Sequence, residues 1–225
     1  MRKILPAAAV CLAIALPTLA DDWSIGVGTG PFVFGTFAER TTRLVTESGE
    51  ATSRSKLSAA TRPGGTADIE RGFSDRFAVR LEASWTRAPM KVKGGSGSGS
   101  GVSFDAGHAS ITTFALPFVF TLNPHGTFRF HLEARPAYGF YEMTRRDAAG
   151  ATLPLFEGTR GRWGAVAGGG VDWWLSDRFA IEGNADDVVT SSPFERSDFG
   201  GTTFGGLKIP KTHNVHTTAG IRYRF

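Results

Sequence analysis

Two six-residue segments, Ser74-Asp75-Arg76-Phe77-Ala78-Val79 and Ser176-Asp177-Arg178-Phe179-Ala180-Ile181, each set a polar turn in front of a run of alternating apolar and polar residues. Alternation at period two marks a strand whose two faces meet different media. Asp supports tight turns by bonding its own backbone, and Asn123-Pro124-His125-Gly126 supplies a third turn between the two repeats. With Trp23 as the start and Phe225 as the end, turns near 75, 125 and 177 cut the chain into four steps of about 50 residues. Those steps predict four hairpins, or about eight strands. Between the tight turns, polar and Gly-rich stretches at roughly 39–56, 91–107, 143–161 and 191–213 are expected as long loops. The second holds the flexible run from Gly94 to Gly101.

The alternation assigns faces. Phe77, Val79, Leu81, Ala83 and Trp85 share one side, against Ala78, Arg80, Glu82 and Ser84. Phe114, Leu116, Phe118, Phe120 and Leu122 oppose Thr113, Ala115, Pro117, Val119 and Thr121. Phe128, Phe130, Leu132 and Ala134 oppose Arg129, His131, Glu133 and Arg135, and the last strand sets Val215, Ala219, Ile221, Tyr223 and Phe225 against His216, Thr218, Gly220, Arg222 and Arg224. The longest apolar run after residue 20, Phe114–Leu122, is far short of the 18 residues a helical span requires, which excludes a helical membrane protein. The chain is therefore either a soluble β protein or a transmembrane barrel. Its pI of about 9.5 comes from 25 basic residues scattered among 21 acidic ones without a basic run, so no nucleic-acid partner is expected.

Tryptophan placement favours the barrel. Trp23 and Trp173 fall beside the short-turn end, and Trp85 and Trp163 near the loop end. Trp163 to Trp173 is ten residues, about 25 Å of height at ~3.3 Å per residue and ~40° of tilt, the height of a lipid-facing band between aromatic girdles. Residues 1–20 carry basic Arg2 and Lys3, an apolar stretch from Ile4 to Leu16, and the small-residue end Thr18-Leu19-Ala20. This is the pattern of a secretory signal peptide cleaved before Asp21, leaving one domain over 21–225. The single cysteine, Cys11, leaves with it, so the mature chain uses neither disulfides nor Cys–metal chemistry.

From Trp23 to Phe225 the chain resembles the small eight-stranded outer-membrane β-barrels of Gram-negative bacteria, the OmpA-transmembrane-domain, OmpX and OmpW type. The resemblance rests on the leader, the turn-anchored alternation and the ending Ile221-Arg222-Tyr223-Arg224-Phe225. It implies an all-β, antiparallel, up-and-down transmembrane barrel in the outer membrane, with the lipid bilayer as one partner. It also implies recognition of the C-terminal strand by the barrel-assembly machinery. No periplasmic peptidoglycan-binding domain is expected after the last strand, and the loop partner is unknown.

Inward positions collect charge: Asp68, Glu70, Glu82, Glu133, Asp172, Glu182 and Asp186 against Arg80, Arg129, Arg135, Arg222 and Arg224, with His131 and Asn184. Eight strands leave room for little beyond side chains, so these are expected to form an ion-paired filling rather than a conduit. Asp187, of opposite parity to Asp186, is expected at the outer rim, where a charge costs little. His108 and Ser110 could serve as base and nucleophile on one face, but no acidic partner is evident. Asp186, Asp187, Glu195 and Asp198 match no Ca²⁺-loop spacing. No phosphate loop or zinc pattern is present, and no catalytic residue, metal or cofactor is expected. The reading is a non-enzymatic envelope barrel acting in envelope integrity or through its four loops. The alternative is a narrow, OmpW-like conduit for small, mainly apolar molecules, and the third a lipid A-modifying hydrolase.

Cell fractionation is expected to recover the mature chain, without residues 1–20, in the outer membrane, migrating differently on gels before and after boiling. Deleting Phe225 should sharply lower that yield; a water-soluble periplasmic product would contradict the reading.

Overall fold

The repeated Ser-Asp-Arg-Phe segments are one turn built twice, in a computed structural model that describes residues 23–46, 49–96, 102–145, 157–199 and 206–225. In each, the serine hydroxyl does the work expected of aspartate: Ser74 Oγ accepts from the Phe77 N–H at 3.2 Å, and Ser176 Oγ from the Phe179 N–H at 3.1 Å. The residue before each serine then closes the hairpin, with Phe73 N–H to Phe77 O at 2.8 Å and Leu175 N–H to Phe179 O at 2.9 Å. In the third turn both ends of the Asn123 amide bind the chain, Oδ1 accepting from Phe130 N–H at 2.7 Å and Nδ2 donating to Phe128 O.

These turns join strands β1 (Trp23–Phe34), β2 (Thr36–Thr46), β3 (Gly49–Ala59), β4 (Arg62–Gly72), β5 (Phe77–Ser96), β6 (Val102–Ala115), β7 (Phe118–Thr121), β8 (Phe128–Arg145), β9 (Gly158–Trp174), β10 (Phe179–Thr190), β11 (Leu207–Lys208) and β12 (Thr212–Arg224), with a 3-10 turn at Arg196–Phe199. Strands β1, β4, β5, β6 continued by β7, β8, β9, β10 and β12 pair antiparallel in that order. Strand β12 returns to β1 in register from Ser24↔Arg224 to Phe34↔Asn214, closing an eight-stranded barrel. Among the described residues no helix is long and apolar enough to cross a membrane.

Two expectations need correction. The run Phe114–Leu122 is two strands rather than one, because Pro117 has no N–H to give the ladder; its carbonyl still accepts from Arg80 N–H at 3.0 Å. The described residues of 39–56 and 91–107 are strand, and so are 143–145 and 158–161, while 47–48, 97–101 and 146–156 lie outside the described residues. Strands β5, β8 and β9 run 20, 18 and 17 residues, and β2 with β3 forms a hairpin continuing past the barrel to pair with β5 and β11. Polar composition does not end an antiparallel ladder when both faces meet water; it ends only the lipid-facing part. Where β5 and β6 continue outward, the register shifts between Met90 and Lys91 because β6 carries the extra residue Ala106 beside Gly107, whose φ of 117° favours a residue without Cβ.

The outside of the barrel is apolar. Phe77, Leu81, Phe118, Phe130 and Leu132 are each more than half exposed, while Arg80, Glu82, His131 and Glu133 between them are buried. A belt of this size on a water-soluble protein would be an aggregation surface, so its solvent is hydrocarbon. Trp163 and Trp173 face outward from the two ends of the belt on β9, at 73% and 44% exposure. Asp187 corrects a third expectation. It faces outward but pairs with Ala167 on β9, four positions along that strand from Trp163, and so stands below the rim. Its carboxylate meets His213 there, whose Nδ1 lies 2.9 Å from Asp187 Oδ2.

Placing a cation in the outward belt tests the faces directly. Leu81→Arg should destabilise the barrel by about 2–4 kcal/mol in urea titrations from lipid vesicles; an unchanged midpoint would reverse inside and outside.

Candidate functional site: the filled lumen

An eight-stranded barrel encloses a column barely wider than the side chains that fill it, so what the strands point inward decides what the lumen can do. On the tight-turn side they point charges. Arg80 on β5 bonds Glu70 of β4 through Nε at 2.9 Å and Nη2 at 2.7 Å, with Asp68 and Glu133 each at 3.6 Å. Arg222 on β12 reaches Glu182 of β10 at 2.8 Å, Asp68 at 2.9 Å and the Ser24 hydroxyl of β1 at 3.0 Å. Arg135 on β8 lies 2.9 Å from Glu82, 2.9 Å from Asp186 and 3.0 Å from Glu133. His131 lies 3.0 Å from Asn184 and 3.6 Å from Asp172. Three guanidiniums, each about 1% exposed, thereby tie β1, β4, β5, β8, β10 and β12 together across the barrel.

Glycine makes the room. A Cβ at Gly168 would run into Asp186 Oδ1, one at Gly170 into Asn184 Oδ1, and one at Gly26 into Asp68 Oδ2. The bare inward backbone of β9 and β1 is the space the charged side chains occupy.

Glu82, Glu133 and Asp186 bring carboxylate oxygens within 4.8 Å of one another, a spacing that would suit a metal ion. The Arg135 guanidinium already lies within 3.0 Å of all three. The cluster is a cradle for a cation supplied by the chain, and an added metal would have to displace it.

The loop side of the lumen is apolar. Phe32, Phe34, Phe37, Leu57, Ala88, Met90, Ile111, Tyr141 and Met143 form one buried cluster, joined by Phe194 from the segment after β10. Phe37 lies 6.3 Å from Tyr141, edge-on, and 6.1 Å from Phe194. The Tyr141 hydroxyl, which needs a partner at that depth, meets Thr190 Oγ1 at 2.7 Å. Two arginines of β9 hold the Phe194 segment over the mouth. Arg160 grips Asp198 at 2.6 and 3.1 Å and the Pro193 carbonyl at 2.9 Å, while Arg162 takes the Ser192 carbonyl at 2.8 Å and Glu195 at 2.7 Å. The hydrogen bonds that Arg160 donates to Asp198 hold its pKa above the ordinary value.

Several expected residues sit apart from the central network. Arg129 and Arg224 stack on Trp174 at the tight-turn mouth instead. Asp186, Asp187, Glu195 and Asp198 do not converge, since each has its own basic partner, and Asp198 is buried rather than a solvated loop carboxylate. His108 and Ser110 share the outward face of β6, His108 beside Pro89 and Thr144, Ser110 beside Arg87 and Glu142. Sequence reading missed Trp174, although a Trp-Trp pair in an alternating strand must send one ring inward. It also missed the apolar loop-side filling, whose Phe32, Phe34 and Met90 lie on the parity of the charges.

No family model matches the chain, and no curated protein matches it. Among solved structures, it is similar to the outer membrane protein OprG from Pseudomonas aeruginosa, at 12% identity over 91% of this chain and 97% of that one, with a TM-score of 0.58. It is also similar to the outer membrane protein AlkL in DMPC bilayers, at 14% identity over 91% of this chain and 90% of that one, with a TM-score of 0.51. The shared feature is the fold, a closed antiparallel β-barrel.

Removing one guanidinium exposes what the filling contributes. Arg135→Leu, which leaves three carboxylates facing one another, should cost about 3–5 kcal/mol in vesicle unfolding titrations. Combining it with Glu82→Leu should restore part of the loss.

Proposed function

We propose that the protein is a non-enzymatic, integral outer-membrane barrel that supports envelope integrity and meets partners through its outer loops, with a lumen closed to ions. In this reading residues 1–20 are removed on export and the C-terminal strand ending in Phe225 is what the assembly machinery engages. One observation carries the reading: Arg80, Arg135 and Arg222 are fully buried and bridge carboxylates from opposite walls, an arrangement that would block a continuous water path through that layer. Forked guanidinium–carboxylate pairs hold such a layer in place.

A second reading has its own support. The loop-side half of the lumen is lined by phenylalanine, methionine and alanine, and its cover, Phe194, is carried on a segment rather than on a barrel strand. That lining suits a small, mainly apolar molecule entering from outside in place of Phe194. The third reading, a lipid A hydrolase, gains no support from the surroundings of His108 and Ser110.

Planar-bilayer recording of the purified protein separates the first two. Little steady ion conductance is expected for both, and a large ohmic conductance would overturn the closed lumen. Saturable uptake of an apolar fluorescent probe, strengthened by Phe194→Ala, would favour the second reading over the first.

A further inference from the structure

At the tight-turn mouth the lumen opens into a cavity of about 320 Å³ whose walls include Arg129, Trp174 and Arg224 together with the acidic residues Glu70, Asp75 and Asp172. The guanidinium carbons of Arg129 and Arg224 stand 4.8 and 4.1 Å from the centre of the same Trp174 ring. Two like charges gathered on one indole repel each other, and the ring offsets only part of that repulsion. Among the described residues neither guanidinium has a carboxylate within ion-pair distance. Arg129 Nε donates to the Gly126 carbonyl at 3.3 Å, a neutral acceptor.

Each of these carboxylates lies nearer another side chain, Glu70 at 2.7 Å from Arg80, Asp172 Oδ2 at 3.6 Å from His131 and Asp75 at 3.9 Å from His125, while Asp172 Oδ1 has no hydrogen-bond partner. A separate observation points the same way. Trp174 is 9% exposed, and its indole Nε1–H finds no acceptor. A buried donor left unpaired costs about 1–3 kcal/mol, and here it lines the same cavity as two guanidiniums that no carboxylate touches. What Arg129, Arg224 and Trp174 share is the want of an acceptor in direct contact.

We propose that this cavity binds a small oxyanion, a phosphate or carboxylate group, held by Arg129 and Arg224 and accepting a hydrogen bond from the Trp174 indole. Its volume lies at the small end of ligand sites, which suits a small organic phosphate or carboxylic acid rather than a polymer. Arg129, Trp174 and Arg224 all lie on the inward parity of their strands, so the anion comes from solution on the tight-turn side. A lipid headgroup would have to fold over the rim to reach them.

The test uses the folded full-length mature barrel in uncharged maltoside micelles, with its tryptophans labelled at the indole nitrogen and the Trp174 resonance assigned by Trp174→Phe. Inorganic phosphate is titrated against chloride at equal ionic strength. Phosphate should shift the Trp174 indole N–H saturably and chloride should not. Arg129→Gln and Arg224→Gln should each weaken the response at least tenfold while keeping the heat-dependent gel shift of a folded barrel. Should Arg224→Gln fail to assemble, Arg129→Gln and the wild-type ion comparison still decide. Equal shifts with both ions, no shift, or undiminished affinity in the variants would overturn the site. A shift seen only in nanodiscs containing phosphatidylglycerol, and absent with phosphate in micelles, would overturn the solution anion in favour of a lipid headgroup.

Discussion

A guanidinium removed from water without a carboxylate beside it costs several kcal/mol, and this barrel buries three of them at nearly complete exclusion of solvent. That constraint reaches every wall. Strand β4 must present Asp68 and Glu70 opposite Arg80, β10 must present Glu182 to Arg222, and β5 and β10 must bring Glu82 and Asp186 to Arg135. A shift of one residue in any of these strands would turn its carboxylate out into hydrocarbon. The ion pairs therefore specify strand register as much as they fill space, and the inward glycines of β1 and β9 are the other half of the same arrangement.

The lumen changes character along its length because its two ends face different tasks. Where the wall outside is lipid, a charged interior is held by strands that cannot leave the ladder. Toward the outer mouth, β2, β3 and the extended β5 and β6 rise into water, and the interior becomes phenylalanine and methionine beneath a segment clamped by Arg160 and Arg162. Rigid charge below and apolar packing below a polar clamp give one barrel a half filled with ion pairs and a half covered by a loop.

Much of this was legible in the sequence, for particular reasons. Period two in Phe77–Trp85 and Phe128–Arg135 gave face and class, because the side-chain repeat of a strand is fixed by the backbone. The repeated turns gave strand count, although the acting group is serine: Ser74 and Asp75 both cap turns in isolation, and only geometry shows which one does. The extent of the strands was not legible, since β2 and β3 carry polar residues on a ladder that water tolerates as well as a loop. Partners within the lumen were also hidden. Arg80 neighbours Glu82 in sequence but bonds Glu70 across the ladder, while Glu82 belongs to Arg135, 53 positions away. Parity says which way a side chain points and nothing about which wall it meets. For the same reason Arg129 and Arg224 were grouped with the central pairs, when their strand ends carry them past the layer to Trp174.

The pairing of β12 with β1, finished by the Phe225 N–H donating to the Trp23 carbonyl at 3.0 Å, has a consequence for the order of events. These partners, Trp23 and Phe225, lie some two hundred positions apart in the chain, so the contact carries a high loop-closure cost. Until the last residues emerge, every partial sheet has two open edges able to template onto another chain. The chain must therefore be kept apart from its own copies until then, and β12 acts as a clasp whose closing removes both edges in one step.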